Sequence, residues 1–299
     1  MRVLVTGASG PVGTALLRSL RAAGAEVTRT SRRPVADSSG DCVIPWDPMQ
    51  PISPNAVSGM DAVIHLAGES IVGRWTAAQK KAIRESRVVG TTNLARALAQ
   101  AAIKPRVFIC ASAVGFYGNR GDEIMRETSP PGTGFLPDVC VEWEAATRPA
   151  ADAGIRTVMV RIGVVLSPRG GALEKMLLPF KLGLGGKLGS GNQWMSWIDV
   201  EDLISAFLHV IATESLTGPV NAVSPNPVTN AEFTGTLAGV LHRPAFFAMP
   251  AFAARIVLGE MADELLLASQ RVVPDQLQAS GFSFRHPELR GSLERLLHP

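Results

Sequence analysis

The sequence predicts an α/β protein: a doubly wound Rossmann-type parallel sheet with a smaller C-terminal substrate-side domain. Three observations carry that expectation. A glycine-rich loop follows the first apolar run, in Val3-Leu4-Val5-Thr6-Gly7-Ala8-Ser9-Gly10-Pro11-Val12-Gly13. Short β-branched runs alternate with helical stretches along the first half of the chain, the pattern of a parallel sheet covered on both faces. Beyond Gly163 the texture changes, because Ser167 to Gly191 is rich in glycine and has little period-two patterning. That suits a lid or binding loop.

Strands are expected at Arg2 to Val5, Glu26 to Thr30, Cys42 to Ile44, Ala62 to Leu66, Val107 to Ala111 and Thr157 to Ile162. The first helix takes Pro11 into its first turn, sets Val12, Leu16 and Leu20 on one face, and ends near Gly24. Thr76-x-x-Gln79 has capping-box spacing and opens a second helix running toward Ala102. A third covers about Pro137 to Ala151, disturbed at Pro149, which lacks the N–H a helix interior needs. A further capping box, Thr229-x-x-Glu232, opens a helix toward Leu241, and the remaining tail mixes apolar helical stretches with Pro244, Pro250, Pro274 and Pro287. Residues 1–165, completed by 190–222, form the expected nucleotide-binding domain. The segments 166–189 and 223–299 form the smaller one.

At 299 residues with 46% hydrophobic and 18% charged content, the chain can bury a core of its own. The net charge of +3 and the lack of a dense Lys/Arg run argue against a nucleic-acid partner. Cys42, Cys110 and Cys140 are odd in number, far apart and without CxxC spacing. Neither a disulfide framework nor a zinc knuckle is indicated, and a reducing cytoplasm fits best. His65, His209, His242, His286 and His298 have no metal-ligand spacing, so no metal is expected. Met1 runs almost directly into a strand, leaving no room for a signal peptide. Pro244 to Leu258 is apolar but is cut by Pro250 and Arg255 and is shorter than the roughly 20 residues of a membrane span. It suits a pocket wall or a subunit contact.

Gly7, Gly10 and Gly13 stand where a strand must turn tightly into a helix and where the backbone must approach a pyrophosphate. The free N–H groups of the helix N-terminus then face the phosphates, so Gly7, Ser9, Gly10, Pro11, Val12 and Gly13 are the expected cradle. Ser31, Arg32 and Arg33 follow the second strand, with no acid between Val27 and Ala36. Arginine at this point accommodates a 2′-phosphate, where an acid would bind free ribose hydroxyls, and this favours NADP(H). Asp47 is placed to accept from the adenine amino group. Leu66-Ala67-Gly68, after the fourth strand, lets the cofactor pass close to backbone.

Four motifs tie these readings together: TGASGPVG at Thr6 to Gly13, HLAGE at His65 to Glu69, GTTNL at Gly90 to Leu94 and ASAVGFYG at Ala111 to Gly118. With WIDVEDL at Trp197 to Leu203, NAVSPNPVTNAEF at Asn221 to Phe233 and the tail GEMADELLLASQRVVPDQLQASGFSFRHPEL, the chain resembles the extended short-chain dehydrogenase/reductases. Within them it looks like the epimerase-like subfamily with a short C-terminal domain of unknown function. The resemblance covers essentially the whole chain. It implies a Rossmann-type domain, NADP(H) and a substrate-side domain, and it leaves the activity open.

In related dehydrogenases a serine positions the substrate carbonyl, and a tyrosine with a lysine four residues on exchanges the proton during hydride transfer. Ser112 matches the serine. The resemblance places Cys140 and Glu144 where the tyrosine and lysine stand, four residues apart on one helix face. A thiol can donate a proton near neutrality, although a carboxylate beside it raises its pKa; the alternative is a cysteine that packs as a small apolar residue. Tyr117, the one tyrosine of the chain, is the remaining candidate acid or else a pocket wall. Arg161, with Trp194 and Trp197, is placed to grip an anionic or ring-shaped ligand or to form a structural ion pair.

Two functions follow from these residues. One is an NADP(H)-dependent oxidoreductase or epimerase-like enzyme acting on a small carbonyl, hydroxyl or sugar-like compound without the usual Tyr-Lys pair. The other is an NADP(H)-binding sensor or partner-binding protein without turnover. Extended relatives pair through the helices matching Thr76 to Ala102 and Pro137 to Ala151, so a homodimer is expected.

Overall fold

The computed structural model describes residues 1–32 and 41–298. In chain order the strands are β1 (Arg2–Thr6), β2 (Glu26–Ser31), β3 (Cys42–Pro45), β4 (Ala62–His65), β5 (Val107–Ala113), β6 (Ile124–Met125), β7 (Arg156–Ile162), β8 (Val164–Leu166), β9 (Trp194–Met195), β10 (Trp197–Asp199), β11 (Gly218–Ala222), β12 (Val228–Thr229) and β13 (Arg271–Val272). The helices are α1 (Pro11–Ala22), α2 (Pro54–Val57), α3 (Ala77–Gln100), α4 (Phe135–Ala145), α5 (Arg148–Asp152), α6 (Gly171–Lys181), α7 (Val200–Ala212), α8 (Asn230–Leu241), α9 (Ala251–Leu258), α10 (Asp275–Ala279) and α11 (Leu289–Leu297).

Seven strands form one parallel sheet in the order β11-β7-β5-β4-β1-β2-β3. Successive strands step outward from β1 to β3, and the chain then crosses to the other side of β1 to lay down β4. Such a reversal opens a crevice at the C-terminal ends of β1 and β4. Alternation within each strand explains the two covering layers. Val3, Val5, Ile109 and Val160 pack with Leu16, Leu20, Leu203 and Phe207 from α1 and α7, whereas Leu4, Val63 and Phe108 pack with Leu94, Leu98 and Trp143 from α3 and α4. Neither face of the sheet is left for water, as its near-continuous apolar strands require.

Local signals act as expected at several helix ends. The Thr229 side chain accepts from the Glu232 N–H while Glu232 accepts from the Thr229 N–H, a complete reciprocal cap. At α3 the cap is one-sided: Thr76 accepts from the Gln79 N–H, but the Gln79 amide donates to the Ser70 carbonyl instead. The third expected helix is divided into α4 and α5, with the break at Ala146 and Thr147. Pro149 explains the division, because its ring would meet the carbonyl four residues back and it has no N–H to give.

The glycine-rich segment corrects the expectation of an irregular loop. It contains α6, whose Leu173, Leu177 and Phe180 enter a separate core with Trp197, Phe233, Leu237, Leu293 and Leu296. Its amphipathic period is short and is framed by Gly170, Gly171, Gly183 and Gly185, so composition hid it. The stretch after Pro244 exposes Phe246, Phe247, Phe252 and Ile256. Among the described residues no helix is long and apolar enough to cross a membrane.

The C-terminal segment returns to the sheet. Parallel pairing of β13 with β6 and packing of Leu277 from α10 into the sheet core bind it there. Before β13, the Glu264 carboxylate accepts from the N–H groups of Phe135 and Leu136 at 2.8 Å each, capping the N-terminus of α4.

Candidate functional site

The three loop glycines answer to different demands. Gly7 has φ +68°, and an added Cβ would stand 2.5 Å from the Leu66 carbonyl carbon. Gly13 has no room either, with the Gly7 oxygen 2.5 Å from its would-be Cβ. At Gly10 the nearest atom is 3.6 Å away and the backbone is extended, so nothing in the protein demands glycine there. An open space above an uncapped helix N-terminus is what a bound pyrophosphate requires. Gly10 as N-cap offers no side chain to the first turn of α1, while Ser9 and Pro11 are exposed and Val12 is half-buried. Gly170 closes over Pro11, since a Cβ at Gly170 would lie 2.4 Å from Pro11 Cγ.

Leu66, Ala67 and Gly68 run directly beside this loop at the end of β4. Arg32 is exposed at the end of β2, with Ser31 half-buried before it; Arg33 lies outside the described residues. The exposed Asp47 accepts from the Met49 N–H through Oδ1 at 3.0 Å, and among the described residues its second oxygen has no partner. These positions fit a dinucleotide laid across β1, β2 and β4 with its adenosine half toward β3.

At the other end of the crevice the sheet register sets Ser112 beside Arg161 and Arg161 beside Asn221 on three adjacent strands. Helix α4 adds Glu144 above them. Ser112 Oγ donates to Glu144 Oε1 at 2.6 Å, and Arg161 grips both Glu144 oxygens. The carboxylate raises the already high pKa of Arg161 against the opposing effect of burial. Ser112 and Glu144 are thus brought together as one hydrogen-bonded unit.

Other candidates are placed differently. Tyr117 is fully buried; its hydroxyl donates to Asn221 Oδ1 at 2.7 Å and accepts from Arg161 Nη1 at 3.0 Å. Burial pushes its pKa up against the pull of Arg161. The expectation of an accessible phenol is therefore corrected: Tyr117 braces Arg161. Of the two readings of Arg161 the structure realises the ion pair and not the ligand grip, because its donors go to Glu144, Tyr117 and the Glu127 carbonyl and its guanidinium sits 3.5 Å from the Phe116 ring centre. Cys140 is buried, and burial followed by the Glu144 charge pushes its thiol up to about 12. It remains a thiol and a weak acid. Trp197 is also enclosed, with its indole N–H on the Asn226 carbonyl, whereas the half-buried Trp194 donates to Asp122 and stacks beneath Arg271.

Three polar residues escaped the sequence reading. Glu127 is buried, accepts from the N–H groups of Asn221 and Gln276, and has its pKa raised by burial. His65 is fully buried, with Nδ1 2.6 Å from Thr6 Oγ1 and its pKa lowered to about 4 by burial. Arg87 reaches from α3 to the carbonyl of Glu69 at 3.0 Å and lies over the Trp143 ring. His65 stands in the HLAGE motif but its burial could not be read there, and Glu127 and Arg87 had no local signal, since each is defined by what tertiary contact brings to it.

A glycine cradle at the reversal point of a parallel sheet, with a polar cluster at the far strand ends, defines a dinucleotide-fold protein of the dehydrogenase and epimerase type. The chain belongs to the NAD dependent epimerase/dehydratase family, whose model matches residues 3–222, and residues 249–296 match a domain of unknown function, DUF1731. It is similar to the epimerase family protein Mb2239 of Mycobacterium bovis, 46% identical over 286 residues covering 95% of this chain and 93% of that protein. The human epimerase family protein SDR39U1 is 38% identical, with 99% of this chain and all of the human protein covered. A crystal structure of human SDR39U1 with NADPH superposes at a TM-score of 0.91 and 37% identity, covering 99% of both chains. A nucleoside-diphosphate sugar epimerase from Corynebacterium glutamicum gives 0.82 at 38% identity, covering 99% of this chain and 58% of that one.

Proposed function

We propose that this chain is an NADP(H)-dependent oxidoreductase or epimerase-like enzyme acting on a small carbonyl, hydroxyl or sugar-like substrate. The observation that carries the chemistry is the 2.6 Å contact between Ser112 and Glu144 at the strand ends. The cofactor reading is supported by the unfilled space at Gly10 and by the NADPH in the human relative. In this reading the loop from Gly7 to Gly13 binds the pyrophosphate, Ser31, Arg32 and Arg33 take the 2′-phosphate, and Asp47 meets the adenine. Leu66, Ala67 and Gly68 form the wall between them. Residues 1–165 with 190–222 act as the nucleotide lobe, and 166–189 with 223–299 as the substrate-side lobe.

When bound, the nicotinamide supplies or accepts hydride. Ser112 orients the substrate oxygen and exchanges its proton with Glu144, while Arg161 holds that carboxyl group in position. Tyr117 keeps Arg161 fixed from below, and Cys140 fills the space beside them. This arrangement assigns to a hydroxyl and a carboxylate the proton traffic that a tyrosine and lysine conduct elsewhere. The test is to incubate the full chain with NADPH and a library of carbonyl compounds and follow the absorbance of the reduced nicotinamide. Consumption that disappears in Ser112→Ala is the expected result. NADPH binding without consumption across the library would instead favour the sensor, a reading supported by the engagement of both Glu144 oxygens with Arg161. Pairing of two copies through α3 and α4 belongs to the same proposal, and sedimentation checks it.

A further inference from the structure

Arg87 carries free hydrogen-bonding capacity into the crevice between the glycine loop and the Ser112 cluster. Its Nη1 donates to the carbonyls of Glu69 and Ile83 at 3.0 and 3.1 Å. The guanidinium lies 5.0 Å from the Trp143 ring centre, and a Cβ on Gly68 would come within 3.2 Å of its central carbon. Among the described residues, neither Nε nor Nη2 has a hydrogen-bond partner, and neither is shut away from solvent. The side chain is thus held by one nitrogen and by a ring, with an edge of the fork open beside the backbone strip from Leu66 to Gly68.

The charges around it cancel only in part. On the facing helix α4, Glu144 is taken by Arg161 and Glu142 by Arg84. Glu69 forms no ion pair with Arg87 but acts on it across space and offsets part of its charge, and burial keeps the Cys140 thiol on its other side neutral. Arg87 therefore keeps a partly balanced positive charge beside the crevice, in a place partly withdrawn from water.

We propose that Arg87 makes this a site for the reduced cofactor: its open edge binds oxygen atoms of the nicotinamide half of NADPH, and its incompletely balanced charge disfavours the cationic ring of NADP+. The inference rests on the NADP(H) reading above and goes beyond it, because it sets the oxidation state of the cofactor held at rest. Two unit charges a few ångströms apart at an intermediate dielectric repel enough to change an equilibrium constant by roughly tenfold.

Equilibrium titrations of the full chain with NADPH and with NADP+ test it. NADPH should bind roughly tenfold more tightly. Arg87→Met should bring the two dissociation constants together, whereas Arg87→Lys, which retains the charge and loses the fork, should weaken both and keep their ratio. If Arg87→Met does not fold, as judged by its melting transition, Arg87→Gln replaces it, since its amide can still serve the Glu69 carbonyl. Equal affinities in the unmodified chain, or an unchanged ratio in the neutral variant, would overturn the role of Arg87. Failure of the unmodified chain to bind either form would overturn the cofactor reading beneath it.

Discussion

Arg161 holds Glu144 by both carboxylate oxygens, Nε to Oε1 and Nη2 to Oε2, at 2.8 Å each. The pair is nearly out of water, at 4% and 11% side-chain exposure. Removing one member of such a pair strands the other charge, so Glu144→Gln should cost about 3 to 5 kcal/mol in urea denaturation. A loss of about 1 kcal/mol or less, the value of an exposed pair, would contradict the buried arrangement.

Ser112 and Tyr117 should separate by what they affect. On any carbonyl compound that consumes NADPH, Ser112→Ala should lower turnover by roughly 10²-fold to 10³-fold while changing stability little. Tyr117→Phe removes one hydroxyl that serves both Asn221 and Arg161, and should cost about 1 to 3 kcal/mol of stability. A Tyr117→Phe variant with full stability and no turnover would return the phenol to the chemistry.

The glycine loop offers a paired test. Gly10→Val should leave the melting temperature and circular dichroism nearly unchanged and abolish NADPH binding, because its side chain enters space that only a ligand uses. Gly13→Val should unfold or strongly destabilise the chain, since its Cβ would meet backbone at 2.5 Å. Similar stability in the two variants would refute this division of roles.

Replacing Arg32 and Arg33 together by alanine should remove most of the preference for NADPH over NADH. A charge-assisted contact to the 2′-phosphate contributes about 1.5 to 3 kcal/mol, an affinity ratio that fluorescence titration resolves readily. An unmodified chain that binds both cofactors equally would end this assignment.

His65 gives a pH dependence with a definite sign. It is neutral in the fold down to about pH 4, whereas in the unfolded chain it takes a proton near its ordinary value of 6.5. The unfolded state therefore binds more protons between those values, and stability should fall as the pH is lowered through that window, by about 3 kcal/mol in all. Comparing urea midpoints from pH 7 to 4 for the unmodified chain and His65→Asn isolates the contribution; parallel curves would exclude it.

The nucleotide half of the molecule was legible because its signals are local. Gly7, Gly10 and Gly13 act within one turn, and Thr229 and Glu232 cap within one helix end. The reaction half was legible only as a set of residue types. Ser112 and Glu144 meet across two elements, and Tyr117 reads as a loop residue until β7 and β11 set Arg161 and Asn221 beneath it. Arg87 sits in a helix whose charged residues look like a solvated face, and only Gly68 and Trp143 distinguish it.

Glu264, which caps α4, and Gln276, which joins Asn221 on the Glu127 carboxylate, come late in the chain. Both halves of the molecule therefore wait on late residues during synthesis. The helix bearing Cys140 and Glu144 lacks its cap until Glu264 has been made, and the sheet core beneath the glycine loop lacks Leu277 until later still. A chain cut short before these residues would lack parts of both the glycine-loop side and the Ser112 side, so the fold is completed as a unit rather than half by half.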